Sequence, residues 1–355
     1  MQPAKHPALW LCLILFIEVA VLFIVAEIVA GFFLPPGLKF IHPQMLMEPN
    51  SRRIYYHRPN QTAFTIDKPF KTNSLGFRDE REVPIQKEGE FRILALGDSL
   101  TVGLGASAED TYAKQLEKLL VSRDAPVRVV NAGVGCYGTW QEVDVLKEKG
   151  SLVKPDVVTL AFYWNDLYIR PAKVVPIPSD QSGEQMDASL KYLRLFKRSR
   201  VLLFLREKWA SLSNMRWPSA DWTHREMIFQ GSTSPYLEQA YADVGASIEE
   251  FKSLEHDGRF VPILIIVPMP MQVQQSDPPP THMQRRIEAI ARRVGLRTLD
   301  LLPAMRQAYA EKPDLYIPWD HEHFTRRGHR VVAEALEQYL VAEHLVPLAR
   351  SGNRK

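Results

Sequence analysis

The stretch that decides the fold is FRILALGDSLTVG, residues 91–103. A mostly apolar run of six residues, 91–96, leads directly into a Gly-Asp-Ser turn. A short apolar run that ends in turn residues is typical of a buried β-strand. Ser99 would then lie just beyond the carboxyl end of that strand, where a helix can begin. Parallel α/β sheets bind their ligands at this edge.

Four further runs of the same kind follow, at residues 127–130, 157–162, 261–267 and 296–301. Amphipathic helical patterns lie between and after them. One helix face carries Tyr112, Leu116, Leu119 and Leu120, and a second near the end carries Val331, Val332, Ala335, Leu336, Tyr339 and Leu340. Apolar strands that alternate with such helices predict a parallel sheet covered on both faces, a three-layer α/β/α domain.

The composition is that of a globular protein. The 355 residues are 46% hydrophobic and 24% charged, with a formal net charge of +3. This balance gives no support for binding to nucleic acid or another polyanion. The two cysteines, Cys12 in an apolar run and Cys136 in a Gly-rich loop, are not expected to form a disulfide.

Residues 8–34 form an apolar stretch that two prolines end, and it is long enough to cross a bilayer as a tilted helix. We predict a transmembrane anchor, with a cleaved signal peptide as the alternative. Glu18 within the span is either protonated or in contact with another membrane helix. Basic residues lie on both sides of the span, so the positive-inside rule does not orient the chain.

The predicted organisation is an N-terminal tail at 1–7, the anchor at 8–34, a connector packed on the domain at 35–90, an α/β domain at 91–345 and a C-terminal tail at 346–355. An insertion at about 167–234 interrupts the domain, and its segment 190–212 is basic, amphipathic and helical in pattern. We predict a helical cap on the domain; the alternative is a segment that lies against anionic lipid headgroups.

A second group of polar residues stands near the end of the chain, in PWDHEHFT at residues 318–325. Asp320 and His323 are three residues apart and can pair, which would leave one imidazole nitrogen to deprotonate a serine. A metal site is the competing interpretation, because all of the residues Asp320, His321, Glu322 and His323 are possible ligands.

Two other predicted strands end in candidate hydrogen-bond donors. Asn131 and Gly133 follow the strand at 127–130, and the sequence Tyr163-Trp164-Asn165-Asp166 follows the strand at 157–162. The backbone N–H of Gly133 and the side-chain amide of Asn165 would reach the same sheet edge as Ser99, where donors can hold an oxyanion. Taken separately, the glycine fits an ordinary loop and the Asn-Asp pair a helix cap.

These blocks in this order resemble the SGNH, or GDSL-type, hydrolase superfamily over about residues 91–345. The resemblance implies a flavodoxin-like sheet, with Ser99 as nucleophile and His323 as the base that Asp320 orients. It also implies an oxyanion hole formed by the Ser99 amide, Gly133 and Asn165. Tyr163 departs from the family pattern, which usually has glycine there, and this bears on the shape of the pocket. The segment NSLGFRDE before the first strand resembles membrane-tethered bacterial members of the superfamily.

We therefore expect a serine esterase that needs neither cofactor nor metal and removes short acyl groups, such as acetyl, from a glycan or another acylated small molecule. Tyr163, Trp164 and Trp319 are candidate substrate-binding residues. The expected location is a bacterial inner membrane, with the domain in the periplasm. The alternatives are an O-acyltransferase of polysaccharide modification, a lysophospholipase or lipase, and a binding protein without activity.

Overall fold

The computed structural model describes residues 7–33, 45–66, 68–168, 199–202, 205, 220–275, 278–318, 320 and 322–348. Contacts divide the chain into two units, Met1–His42 with Asp180–Pro218 and Pro43–Ser179 with Ser219–Lys355. The predicted candidate residue Trp319, its neighbour His321 and most of the predicted insertion lie outside the described residues.

The first unit contains helix α1, Pro7–Phe33. Its segment Trp10–Phe32 is long and apolar enough to cross a membrane, although a signal sequence near an N-terminus has the same properties. Within this unit the carboxylate of Glu27 accepts hydrogen bonds from the Ser199 hydroxyl and from the backbone N–H groups of Arg200 and Val201, the latter two at 3.0 and 3.1 Å. Residues 199–201, within the predicted insertion, are thus bound to the apolar helix.

The second unit begins with two antiparallel hairpins inside the predicted connector. Strand β1, Met47–Asn50, pairs with β2, Ile54–His57, and β3, Thr62–Thr65, pairs with β4, Lys68–Lys71. The sequence pattern predicts no strand here, because four residues are too few for an alternating pattern to stand out.

The central sheet consists of β5 (Phe91–Leu96), β6 (Val127–Asn131), β7 (Val157–Phe162), β8 (Val261–Ile266) and β9 (Arg297–Asp300). All neighbouring pairs are parallel, and the order is β6-β5-β7-β8-β9. All five predicted strands are confirmed, with ends that agree to within one residue. The order is that of the flavodoxin-like doubly wound sheet.

The remaining helices flank this sheet and confirm the three-layer α/β/α prediction. They are α2 (Ser99–Val102), α3 (Tyr112–Val121), α4 (Thr139–Val153), α5 (Ala220–Phe229), α6 (Pro235–Gly258), α7 (Pro270–Gln274), α8 (His282–Arg293), α9 (Leu302–Glu311) and α10 (Arg326–Ala342). Helix α3 packs against α10, and α6 packs against both α4 and α8. The strand residues between them are almost all buried, since helices cover the sheet.

The strand order also locates the crevice. From β5 the chain crosses to β6 on one side, and it then returns to β7 on the other side of β5. In doubly wound sheets the ligand cleft opens beyond the carboxyl ends of the two strands at such a reversal. Ser99 follows β5 and Asn165 follows β7, so both lie at this point.

Candidate active site

The turn after β5 presents Ser99 as the first residue of α2. A Cβ atom at Gly97 would lie 2.0 Å from the Thr101 hydroxyl, so only glycine allows the strand to run this closely into the helix. Asp98 caps the helix by accepting a hydrogen bond from the Leu100 N–H at 2.8 Å. The amide of Ser99 belongs to the first turn, where N–H groups have no acceptor within the helix.

His323 connects Ser99 to Asp320. Its Nε2 lies 2.9 Å from the Ser99 Oγ, and its Nδ1 lies 2.6 Å from the Asp320 Oδ1. The same aspartate oxygen accepts the backbone N–H of His323 at 2.8 Å, and Ile317 N–H donates to the His323 carbonyl at 2.8 Å, which closes the loop. The structure therefore brings together residues that are 224 positions apart. This arrangement can move a proton from a serine hydroxyl to an imidazole.

The charges around His323 favour its protonated form. Burial of the ring opposes protonation, but the hydrogen bond to Asp320 and the negative charges of Asp320, Asp98 and Glu322 outweigh it, so the pKa of His323 is raised above its ordinary value. The aspartate is thus placed to stabilise the imidazolium that forms when the serine loses its proton.

The loop after β6 lies directly against α2. A Cβ atom at Gly133 would stand 2.4 Å from the Val102 backbone nitrogen, so glycine is required for this approach. The Asn131 side chain donates to the Thr101 carbonyl at 2.8 Å and accepts the Gly133 N–H at 3.1 Å. The predicted donor Gly133 is therefore beside the serine turn, but its N–H already has an acceptor in Asn131.

Asn165 also reaches the serine turn. Its Nδ2 donates to the Asp98 Oδ2 at 2.9 Å, and its buried Oδ1 has no hydrogen-bond partner among the described residues. One hydrogen of the amide group is thus directed to Asp98, and the other is available to a ligand. The residue that caps the helix of Ser99 is therefore also the residue that orients the predicted oxyanion donor, a role that the sequence analysis did not assign to Asp98.

The two aromatic residues before Asn165 are buried, Tyr163 at 3% and Trp164 at 6% exposure. The Tyr163 hydroxyl and the Trp164 indole N–H both donate to one carboxylate oxygen of Glu322, at 3.0 and 2.8 Å. Glu322 lies between Asp320 and His323 in sequence and was predicted only as one member of a metal site. Among the described residues, no three histidine, cysteine or acidic side chains are grouped closely enough to hold a metal ion.

Three carboxyl groups near the serine turn are buried, those of Asp98, Glu142 and Asp166. Burial, reinforced by the charges of neighbouring carboxylates, raises the pKa of Glu142 and Asp166 well above ordinary values, and burial also raises the pKa of Asp98. Asp166 accepts the Thr139 hydroxyl at 2.9 Å, whereas neither oxygen of Glu142 has a partner among the described residues. These shifts favour the neutral, protonated forms of Glu142 and Asp166. Nothing in the sequence marked Glu142, which lies within an amphipathic helix.

The segment before β5 binds the end of the helix that begins with Ser99. Arg78, from NSLGFRDE, is 4% exposed. Its guanidinium donates to the carbonyls of Val102, Gly103 and Ala106 at 2.5, 2.7 and 2.6 Å. These carbonyls lie at and beyond the end of α2, where a cation compensates the partial negative charge of the helix. The connector therefore holds part of the site in place.

Comparisons with known proteins identify a matching family and several similar solved structures. Residues 95–331 match the GDSL-like lipase/acylhydrolase family. A comparison with curated protein sequences finds no significant match. Similar solved structures include an α/β hydrolase from the metagenome of Lake Arreo, 17% identical over 72% of this chain and 95% of that one, with a TM-score of 0.42. A lipase/acylhydrolase from Enterococcus faecalis is 15% identical over 74% and 100%, with a TM-score of 0.42. A catalytic mutant of an acetylxylan esterase from Geobacillus stearothermophilus is 16% identical over 74% and 97%, with a TM-score of 0.41.

The family match covers about two thirds of the chain and includes the turn at Ser99 and the loop at His323. It confirms the resemblance carried by the four ordered blocks and the prediction of a serine hydrolase. The chain belongs to the GDSL-like lipase/acylhydrolase family, and it is an SGNH-type serine hydrolase that acts on ester bonds.

Proposed function

We propose that this protein is an esterase that removes short acyl groups, above all acetyl, from hydroxyl groups of cell-envelope or exported glycans. The observation that carries the chemistry is the continuous hydrogen-bonded chain from Asp320 through His323 to the Ser99 hydroxyl. The order of proton transfers follows from this chain.

In the first half-reaction, His323 Nε2 takes the proton of Ser99 as Oγ attacks the ester carbonyl. The tetrahedral intermediate then expels the alcohol, which receives that proton from His323, and the acyl group remains on Ser99. In the second half-reaction, His323 deprotonates a water molecule that attacks the acyl-enzyme. The carboxylic acid leaves, and the serine hydroxyl is restored when the imidazolium returns the proton.

The oxyanion is held by the Ser99 amide and the free hydrogen of the Asn165 side chain, with the Gly133 N–H as third donor once it turns from Asn131. The first two donors need no rearrangement, because α2 orients the amide and Asp98 orients the asparagine. Preorganised donors of this kind stabilise the transition state without a cost of reorganisation.

The preference for short acyl groups rests on the residues beside Asn165. The large side chains of Tyr163 and Trp164 are buried next to this donor and bound to Glu322. We infer that they limit the length of the acyl chain that fits beside Asn165. A long chain would have to displace them and leave two hydrogen-bond donors unsatisfied, which costs about 1–3 kcal/mol for each buried group.

We further propose that α1 tethers the enzyme to a bacterial inner membrane and that the hydrolase domain lies in the periplasm. The length and apolarity of Trp10–Phe32 support the tether. The resemblance of NSLGFRDE to membrane-tethered members supports the periplasmic side.

The nucleophile is tested with a fluorophosphonate probe and mass spectrometry. The wild-type protein should be labelled at Ser99, and Ser99→Ala should lose both label and ester turnover, whereas the exposed control Ser253→Ala should keep both. Labelling at another serine would refute the assignment.

Exhaustive chelation of metal ions should leave ester turnover unchanged. If chelation abolishes turnover, the metal interpretation of Asp320 and its neighbours is correct.

The substrate is tested with matched esters whose acyl chains have two, four, eight and twelve carbons, each with and without a sugar acceptor. Specificity constants should be highest for acetyl, with free acetate as product. Transfer of the acyl group to the sugar in preference to water would identify an acyltransferase. A preference for the long chains or for lysophospholipid would identify a lipase-like enzyme and contradict the proposal.

A further inference from the structure

Glu322 joins the two loops that face each other across the serine turn. It belongs to the loop of Asp320 and His323, and its backbone N–H donates to the Asp320 Oδ1 at 3.2 Å. Its Oε1 accepts the hydrogen bonds of Tyr163 and Trp164, which directly precede Asn165 in the other loop. A single oxygen atom thus connects the histidine loop to the loop of the oxyanion donor, across about 160 residues of sequence.

The burial of Tyr163 and Trp164 and the charge of Glu322 make the hydrogen bonds between them strong. The Tyr163 and Trp164 side chains are buried, so the loss of their acceptor would leave a hydroxyl and an indole N–H without a partner in a site with little access to water. Hydrogen bonds to a carboxylate are also roughly twice as strong as those between neutral groups. The two aromatic rings support each other, with centroids 6.1 Å apart and planes at 67°.

The geometry of the reaction explains why such a connection matters. His323 must reach the serine hydroxyl while Asn165 reaches the carbonyl oxygen of the same ester group. The two residues lie on different loops, so their separation depends on contacts between these loops. Among the described residues, Glu322 connects the two loops directly through its hydrogen bonds with Tyr163 and Trp164. A displacement of about 1 Å in a catalytic group can reduce the rate by about 100-fold.

We propose that Glu322 is a positioning residue for ester hydrolysis, whose carboxylate holds the Asp320–His323 loop against the Tyr163–Asn165 turn so that base and oxyanion donor act on one ester group. This inference rests on the proposed roles of Ser99, His323 and Asn165. It assigns Glu322 a function that neither the metal interpretation nor the family blocks include.

Glu322 has a second, separable effect through its charge. Among the described residues, the charged and titratable groups that interact with His323 include Asp320 and Glu322 on its own loop, Asp98 on the serine turn and His329 on α10. Glu322 is one of the carboxylates that raise the pKa of His323. A neutral residue of the same shape would keep the hydrogen bonds and lower this pKa, so that the shape and the charge of Glu322 can be tested apart.

The test compares four variants of the full-length protein. Glu322→Gln retains an Oε1 acceptor but no charge, and Glu322→Ala loses both. The double variant Tyr163→Phe with Trp164→Phe removes both donors and keeps the charge, and Glu343→Gln alters an exposed carboxylate as a control. The measurements are kcat and KM on an acetyl ester, the pH dependence of kcat/KM, the rate of Ser99 labelling and the melting temperature.

We expect Glu322→Ala and the double phenylalanine variant each to lower kcat roughly 10- to 100-fold with little change in KM. Their combination should lose no more than either alone, because both remove the same connection. Glu322→Gln should keep kcat within a few-fold, and the acidic limb of its kcat/KM profile should move to lower pH. Glu343→Gln should match the wild type in every measurement.

Wild-type kcat in folded Glu322→Ala, or additive losses in the combined variant, would overturn the proposal. A loss in Glu322→Gln as large as that in Glu322→Ala would assign the effect to charge and would also overturn it. If Glu322→Ala does not fold, the double phenylalanine variant, which keeps an aromatic ring at both positions and the charge of Glu322, decides the question. Failure of the proposed function would appear separately, as turnover that survives Ser99→Ala.

Discussion

The side-chain amide of Asn165 donates to Asp98 at 2.9 Å, and Asp98 is at the same time the N-cap of the helix that begins with Ser99. One carboxylate thus orients two parts of the site. Asp98 is buried, and its first oxygen accepts the Leu100 N–H while its second accepts the side-chain amide of Asn165.

Replacement of Asp98 by serine should separate its two roles. Serine is an equally good N-cap, so the free energy of unfolding should change by no more than about 1 kcal/mol. A serine side chain is too short to reach Asn165, so we expect kcat to fall roughly 10- to 100-fold. The combination with Asn165→Ala should lose no more than Asn165→Ala alone, since Asp98 acts through Asn165. Wild-type kcat in Asp98→Ser would show that the orientation of Asn165 is irrelevant.

Removal of the Asn165 side-chain amide should lower turnover more than the Asp98→Ser substitution does. Loss of one side-chain oxyanion donor typically lowers turnover roughly 100- to 1,000-fold, so Asn165→Ala should do so with little change in apparent substrate binding. Steady-state kinetics on an acetyl ester measures both quantities, and circular dichroism checks the fold. An unchanged rate would mean that Asn165 serves only as part of a turn.

The pH profile should show the environment of His323. The base must be neutral to accept the serine proton, and the surrounding carboxylates raise its pKa, so kcat/KM should fall with decreasing pH at a midpoint above the ordinary histidine value of about 6.5. The buried His57 and His329 do not interfere, because burial lowers the pKa of each to about 3. A midpoint below 6 in the rate profile would contradict the assignment of His323 as the base.

Arg78 should contribute to stability. Its replacement by methionine keeps much of the volume but removes the guanidinium donor from the carbonyls of Val102, Gly103 and Ala106. The Gly103 carbonyl still accepts the Ala106 N–H. We expect a loss of about 2–5 kcal/mol in the free energy of unfolding, measured by urea denaturation. Arg58→Met, which removes an exposed ion pair with Glu48, should lose less than about 1 kcal/mol. Equal effects of the two changes would contradict the role of Arg78.

The orientation in the membrane can be read from fusions after Lys355. Alkaline phosphatase should be active there, because it folds to its active form in the periplasm, and a fluorescent cytoplasmic reporter should be dark. The opposite pair of results would place the domain in the cytoplasm. Release of the fusion into the soluble fraction would favour a cleaved signal peptide over a tether.

Much of the fold could be predicted because its signals are local. The runs that form β5 to β9 are continuous apolar segments, and the faces of α3 and α10 repeat with the helical period, so each element is encoded within its own residues. The hairpins of the connector escaped prediction because strands of four residues, such as Ile54–His57, carry too little of a pattern.

By itself, the sequence determined the doubly wound domain, the apolar N-terminal helix and the candidate groups around Ser99, since strand ends in a parallel sheet share one edge. The tertiary structure alone decided how those groups contact one another. The attachment of Asn165 to Asp98, of Tyr163 and Trp164 to Glu322, and of Arg78 to the end of the serine helix joins residues that are far apart in the chain. Such contacts produce no periodic pattern in the sequence. They depend on where folding places whole helices and strands, and not on the secondary-structure preferences of neighbouring residues.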